Sequence, residues 1–190
     1  MKQATLNKMG VKPQATQIKT TIAKRLNPYI SLDEFSDGLD FGAGLCHSTH
    51  GEKELGLESY EPFPKKGVKP TYTKLYQINK RFSFILCTYV LNVVAEDERV
   101  KILKSIRKLI EPRYGRAIIV VRGVDDFKKT ITTRNNNYFM KKGGVTTFQH
   151  GFTLDELLRL CEKAGFVANK LGGSTGKSIR VSIGLTSKVK

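Results

Sequence analysis

The stretch from Phe82 to Arg122 constrains the fold of this chain more than any other. Phe82 to Val94 (FSFILCTYVLNVV) is too apolar for a strand with one wet face and reads as a strand buried on both sides, as parallel strands are. Glu96 to Ile110 follows, with Val100, Ile102, Leu103, Ile106, Leu109 and Ile110 at helical spacing, and Pro112 and Gly115 close it. Arg116 to Arg122 (RAIIVVR) is a second buried strand. Buried strand, amphipathic helix and buried strand in succession predict an α/β domain around a mostly parallel sheet.

The flanking segments extend the pattern. Gly38 to Phe41 reads as a short buried strand ended by Gly42-Ala43-Gly44, with a short helix to Leu55. Leu57 to Glu61 is then a second strand, closed by Pro62 and Pro64. Residues 64–80 are basic and turn-rich, with a weak helical pattern around 71–79. Residues 123–151 break the rhythm, and a stretch that long between core elements is a functional insertion or lid. Thr153 caps a helix, with Glu156 completing a capping box; Leu154, Leu157, Leu158, Leu160 and Cys161 form its apolar face, and Gly165 ends it. Two strands near 166–171 and 178–185 form a hairpin around Gly172–Ser178. That turn is spelled like a phosphate-binding loop, but Leu171 stands where its first glycine belongs and a strand follows instead of a helix. Residues 1–32 form a basic arm with no acid before Asp33 and a short amphipathic helix around 16–27, leaving 33–190 as one domain.

Lys and Arg number 33 against 17 Asp and Glu, a net charge of +16 and a pI near 9.8. That imbalance disfavours a free-standing metabolic enzyme and favours a polyanionic partner, nucleic acid before membrane. Cys46, Cys87 and Cys161 lie far apart, which speaks against a disulfide framework and a zinc site, so no metal is expected. No apolar run approaches the ~18 residues that span a bilayer, and a soluble protein of the cytoplasm is expected.

The most informative constellation is Leu39-Asp40-Phe41-Gly42-Ala43-Gly44, followed nineteen positions after Gly42 by Glu61 at the end of the next strand. Glycines here let backbone pass close beneath a nucleotide or amino-acid ligand, and a carboxylate at the tip of the second strand can accept both hydroxyls of a ribose. The third glycine of the dinucleotide fingerprint is absent, with Cys46 and Ser48 in its region, so a cofactor without a pyrophosphate is favoured.

With these residues the chain resembles the class I S-adenosylmethionine-dependent methyltransferases. Asp40 to Gly44 is similar to their glycine-rich motif and Tyr60-Glu61-Pro62-Phe63 to their acidic motif. Cys87 to Val94 resembles their fourth-strand segment, and Gln149 to Thr153, Leu157 and Ala164-Gly165-Phe166 their late helix. The spellings YVLNVV and TFQHGFT look most like methyltransferases associated with bacterial DNA modification and phage genomes. The resemblance covers about residues 36–185 and implies a Rossmann-like, mostly parallel seven-stranded sheet. Helices would cover both faces, the last strand would be antiparallel, and S-adenosylmethionine would lie across the carboxyl ends of the strands. It further implies that Gly42, Ala43 and Gly44 pass under the methionine part and that Asp40 orients the loop. Glu61 would hold the ribose, and Cys87, Thr88 and Tyr89 would lie beside the methyl group. The adenine-binding acid usual after the third strand has no counterpart.

Methyl transfer from a sulfonium needs alignment more than a fixed catalytic triad. The prolines and aromatic of DNA amino-methylating enzymes are absent at Cys87-Thr88-Tyr89-Val90, as is a Pro-Cys nucleophile. Tyr89 and His150 are the candidate catalytic residues, while His47 and His50 stand near the cofactor edge. On the substrate side, Lys128, Lys129, Arg134, Lys141 and Lys142 would meet phosphates, with Tyr138 or Phe139 stacking on an exposed base. Three readings follow: a methyltransferase of DNA or RNA, one of a small molecule or protein, and a non-catalytic nucleic-acid-binding protein on the same fold.

Overall fold

The computed structural model describes residues 1–11, 37–44, 56–127, 134–142 and 145–185. Its strands are β1 (Gly38–Phe41), β2 (Glu58–Tyr60), β3 (Phe84–Thr88), β4 (Arg116–Arg122), β5 (Asn137–Lys142), β6 (Val145–His150), β7 (Val167–Lys170) and β8 (Ser178–Gly184). Its helices are α1 (Gln3–Lys8), α2 (Glu96–Leu109) and α3 (Leu154–Lys163).

The buried strands predicted around α2 form the middle of a sheet ordered β2-β1-β3-β4-β8-β7. β1 pairs in parallel with β2 and β3, and β3 with β4, while β8 runs antiparallel between β4 and β7. This is the expected Rossmann-like arrangement with its last strand antiparallel. Side chains alternate between two cores, as strands buried on both faces require. Ile85, Cys87, Ala117, Ile119 and Val121 join Leu103 and Ile106 of α2 and Leu157 and Cys161 of α3 on one face. Phe84, Leu86, Ile118 and Val120 line the other with Leu57. The segments expected to supply further helices, 16–27 and 45–55, lie outside the described residues.

The sheet has six strands among the described residues, not seven. Beyond β2, a lone parallel bridge joins Tyr60 to Tyr72. Pro62, Pro64 and Pro70 lack the N–H donors a ladder needs. Side chains take over part of the pairing: Ser59 N donates to Thr71 Oγ1 at 3.1 Å and Thr71 N to Ser59 Oγ at 3.0 Å. The strand expected to reach Val94 also stops early. Backbone turns left-handed at Tyr89 (φ 59°), and residues 89–95 form a turn before α2.

Residues 1–11 pack into the domain. Leu6 and Val11 are buried with Ala95 and Phe148. Gln3 N donates to Asp97 Oδ1, and Ala95 N donates to Gln3 Oε1. The rest of the basic arm lies outside the described residues. The insertion 123–151 contains an antiparallel hairpin, β5–β6. No helix among the described residues is long and apolar enough to cross a membrane.

Candidate functional site

In a parallel sheet, ligands bind outside the carboxyl ends of strands where the winding reverses. That point lies between β1 and β3, and the glycine turn leaves β1 there. Gly42 N and Ala43 N both donate to Tyr60 O, at 2.8 and 3.1 Å. Gly44 N donates to Glu61 Oε2 at 2.9 Å, and Phe63 N donates to Oε1 at 2.9 Å. The predicted loop and acid are therefore joined directly. Each carboxylate oxygen can accept a further hydrogen bond, as a ribose diol would require.

The two glycines do different work. A Cβ on Gly42 (φ 81°) would stand 2.3 Å from Val90 Cγ2, so this glycine is needed for packing within the protein. On Gly44 (φ 62°) a Cβ would meet no protein atom within 4 Å. The space over Gly44 is where a ligand can lie against backbone, and the residues present fit the cofactor implied by the resemblance. Ala43 is buried beside it, and Asp40 is buried two residues back from the turn, in register with Ser59 and Leu86.

At the end of β3, Cys87 does not present its side chain to this edge. The thiol is wholly buried in the apolar core, and burial, then the charge of Asp40, pushes its pKa well above the usual thiol value. It stays protonated and unreactive. Half-buried Thr88 ends the strand. Tyr89 is held in its uncommon backbone conformation by a 2.7 Å bond from its N–H to Val120 O, and its hydroxyl lies 3.4 Å from Ser178 Oγ.

His150 belongs to a second cluster, around a cavity of about 380 Å³ bordered by Glu96, Arg99, Asn135, Asn136, Asn137, Phe148 and Glu156. The imidazole is buried, with Nδ1 3.0 Å from Asn137 Oδ1 and Nε2 2.7 Å from Glu156 Oε1. Burial holds its pKa below the ordinary histidine value and outweighs the opposing pull of Glu156. Burial acts to raise the Glu156 carboxyl, but the bond to His150 and the charge of Arg99 prevail and hold it low. Glu156 thus turns to His150, and Thr153 alone supplies the helix cap, accepting from Glu156 N at 3.2 Å. Arg99 is buried, gives its Nε to Leu91 O and Val94 O, and lies 5.0 Å from the Phe152 ring centre; burial lowers it to about 10, still a cation at neutral pH.

The turn 89–95 joins the two clusters. Val90 packs against Gly42, while buried Asn92 donates to His150 O at 2.6 Å and Arg122 O at 3.1 Å and accepts from Arg122 N at 2.9 Å. His150 N also donates to Asn92 O at 2.8 Å. Sequence reasoning read Asn92 as an ordinary core or helix-cap residue and passed over Arg99. Arg99 carried a signal, since it shares one helical stripe with Leu103 and Ile106; Asn92 carried none.

The substrate-side expectation changes at Tyr138. It is 4% exposed and stacks on Phe127, with centres 4.2 Å apart and planes 11° from parallel, while the Arg122 guanidinium covers the Phe127 ring at 4.0 Å. Its ring is spent on the core and is closed to a base. Phe139 packs edge-on against Phe148. Lys141 and Lys142 fall at the turn end of the hairpin by register with Thr146 and Val145. Arg134 begins the short turn before β5. Lys128, Lys129, Cys46, His47 and His50 lie outside the described residues. Among the described residues, no group of His, Cys, Asp and Glu is placed to hold a metal.

No known family profile matches the sequence, and no curated protein matches it. Solved structures do. The glycopeptide N-methyltransferase MtfA, complexed with S-adenosylhomocysteine, superposes with a TM-score of 0.64 at 14% identity, covering 96% of each chain. An S-adenosylmethionine-dependent methyltransferase from Clostridium acetobutylicum gives 0.53 at 12% identity, covering 96% of this chain and 95% of that one. The DhpI–SAH complex gives 0.56 at 11% identity, covering 77% and 75%. The chain has the Rossmann-like fold of the S-adenosylmethionine-dependent methyltransferases.

Proposed function

We propose that this chain is an S-adenosylmethionine-dependent methyltransferase of the cytoplasm that acts on nucleic acid, of the kind associated with DNA modification or phage genomes. The observation that carries the cofactor half is the bond from Gly44 N–H to Glu61 beside the open space over Gly44, at the reversal of the sheet. The fold shared with methyltransferases solved with S-adenosylhomocysteine supports it. The net charge of +16 supports a polyanionic acceptor.

Glu61 would receive the ribose hydroxyls, and Gly42 to Gly44 would line the methionine part. When bound, the cofactor would supply an activated methyl for an acceptor's lone pair, with the C–S electron pair leaving on sulfur, and the acceptor would have a proton to shed. Tyr89 and Thr88 border this edge. His150, held below the ordinary histidine pKa by burial and fixed in orientation by Glu156 through Nε2, is the base this reading assigns to that proton, and Nδ1 would accept it in place of its contact with Asn137. The cations of the insertion, Lys128, Lys129, Arg134, Lys141 and Lys142, are candidate phosphate contacts. A cavity of about 380 Å³ also suits a small molecule, and this favours a small-molecule acceptor as the second reading.

Calorimetry with S-adenosylmethionine tests the cofactor half. The wild-type chain should bind in the micromolar range. Gly44→Val should abolish binding by filling the open space. Glu61→Ala should weaken it by roughly ten-fold to several hundred-fold through loss of charge-assisted bonds, with the circular-dichroism signal retained. Unchanged affinity in Gly44→Val would sink the assignment.

A further inference from the structure

We infer that the segment between β2 and β3, residues 62–77, is a nucleic-acid-binding surface beside the cofactor edge. This rests on the nucleic-acid reading above and names where the polyanion lies. Residues 62–81 contain six cations and no acid. Lys80 is paired with Glu58. Lys65, Lys66, Lys69 and Lys74 are all exposed, and no carboxylate pairs with them among the described residues.

Register decides where the segment leaves the sheet. Tyr72 lies parallel to Tyr60, and Thr71 pairs with Ser59, so the chain passes 71–72 in the same direction and at the same level as the end of β2. The segment therefore leaves the sheet at its carboxyl edge twice, once through Glu61 to Phe63 and again through Thr73 to the short turn Leu75–Gln77. Lys65 and Lys66 follow the first departure and Lys74 lies on the second, while Lys69 leads back into the pairing at Thr71. This is the edge on which Glu61 holds Gly44, and Phe63 N is bonded to that same carboxylate.

Two aromatic rings stand among these lysines without a place in the core. Phe63 is 57% exposed and Tyr76 is 85% exposed. Lysines that neutralise phosphates, interleaved with rings on which bases stack, make a surface for single-stranded nucleic acid. Of the two rings the sequence offered for stacking, Tyr138 is buried and Phe139 packs on Phe148; Tyr76 is available.

The test uses the full chain and a fluorescein-labelled 20-mer of single-stranded DNA or RNA, read by anisotropy from about 50 to 200 mM salt. Three proteins are compared: wild type, Lys65→Glu/Lys66→Glu/Lys69→Glu/Lys74→Glu, and Lys128→Glu/Lys129→Glu/Lys141→Glu/Lys142→Glu. S-adenosylmethionine binding and melting are measured alongside, so that a misfolded variant is recognised. Tyr76→Ala is the milder probe.

The first quadruple variant should lose at least about ten-fold in affinity and flatten the salt slope by about three, keeping cofactor binding; Tyr76→Ala should lose roughly five- to ten-fold, and more on single strands than on duplex. Wild-type affinity in the first quadruple variant, at unchanged melting, overturns the inference and leaves the function reading standing. A wild-type chain that binds S-adenosylmethionine but no oligonucleotide overturns both the inference and the choice of acceptor. Binding to phosphatidylserine vesicles through these lysines, without oligonucleotide binding, overturns it in favour of a membrane surface.

Discussion

The two sides of the turn 89–95 are built from different materials. Toward β1 the chain arranges backbone: Gly42, Ala43 and Gly44 aim their N–H groups at Tyr60 O and Glu61, all within about twenty residues of sequence. Toward the hairpin it arranges buried side chains: His150, Glu156, Arg99 and Asn92 converge from four separate places. Backbone amides carry no charge to desolvate and need only the right dihedral angles. A buried guanidinium and imidazole must each find partners or lose several kcal/mol. The glycine side should therefore fail by steric conflict, and the cavity side by loss of polar partners.

Gly42→Ala should be the most damaging of these changes. Its Cβ would stand 2.3 Å from Val90 Cγ2, on a β-branched side chain with little freedom to move, and φ is 81°. Overpacking plus left-handed strain should cost about 3 kcal/mol. Gly44→Ala meets no protein atom and carries the strain alone, about 1 kcal/mol. Urea unfolding of the two variants gives the comparison, and Val90→Ala should restore part of the loss in the first. Equal costs at both positions would break the distinction between the packing glycine and the open one.

Asn92→Ala should rank next, at about 2–3 kcal/mol. It removes the bonds to His150 O, Arg122 O and Arg122 N at once and leaves buried groups without partners. Because Asn92 bonds to His150 and to Arg122 at the end of β4, and not to the glycine turn, NMR should show the His150 ring resonances moving while S-adenosylmethionine affinity stays within about two-fold. If cofactor affinity collapses as well, the two sides form one unit and the comparison is wrong.

What could be read in advance follows the same division. The glycine turn and Glu61 were legible because each depends on neighbours in sequence, and α2 was legible because apolar residues recur at the helical period. Arg99 was passed over because a charge on a core stripe reads as surface, although its aliphatic stem can lie in the core while its head lines a cavity. The link from Asn92 to His150 spans 58 residues, and nothing local in either residue announces the other. Tyr138 misled because a ring in a basic, asparagine-rich stretch reads as exposed. The hairpin pairs neighbouring strands, but its packing on Phe127 is a tertiary contact that the residues of β5 do not announce. The missing third strand was partly visible in the prolines of residues 62–70.

The smallest effect concerns pH and separates the sides by titration. Burial holds the folded-state pKa of His150 below its ordinary value near 6.5. The unfolded chain therefore binds a proton at a higher pH than the folded chain does. Stability is full above about 6.5 and declines as pH falls from there through the lower folded value, below which this contribution levels off. The slope is at most about 1.4 kcal/mol per pH unit, the limit for one proton. The decline in the window between pH 7 and 5.5 should come chiefly from the cavity, where the histidine lies. Urea midpoints of wild type should fall across this window. Those of His150→Asn should start lower and stay nearly flat. A variant that keeps the wild-type slope would place the titrating group elsewhere and remove the reason for treating His150 as neutral at pH 7.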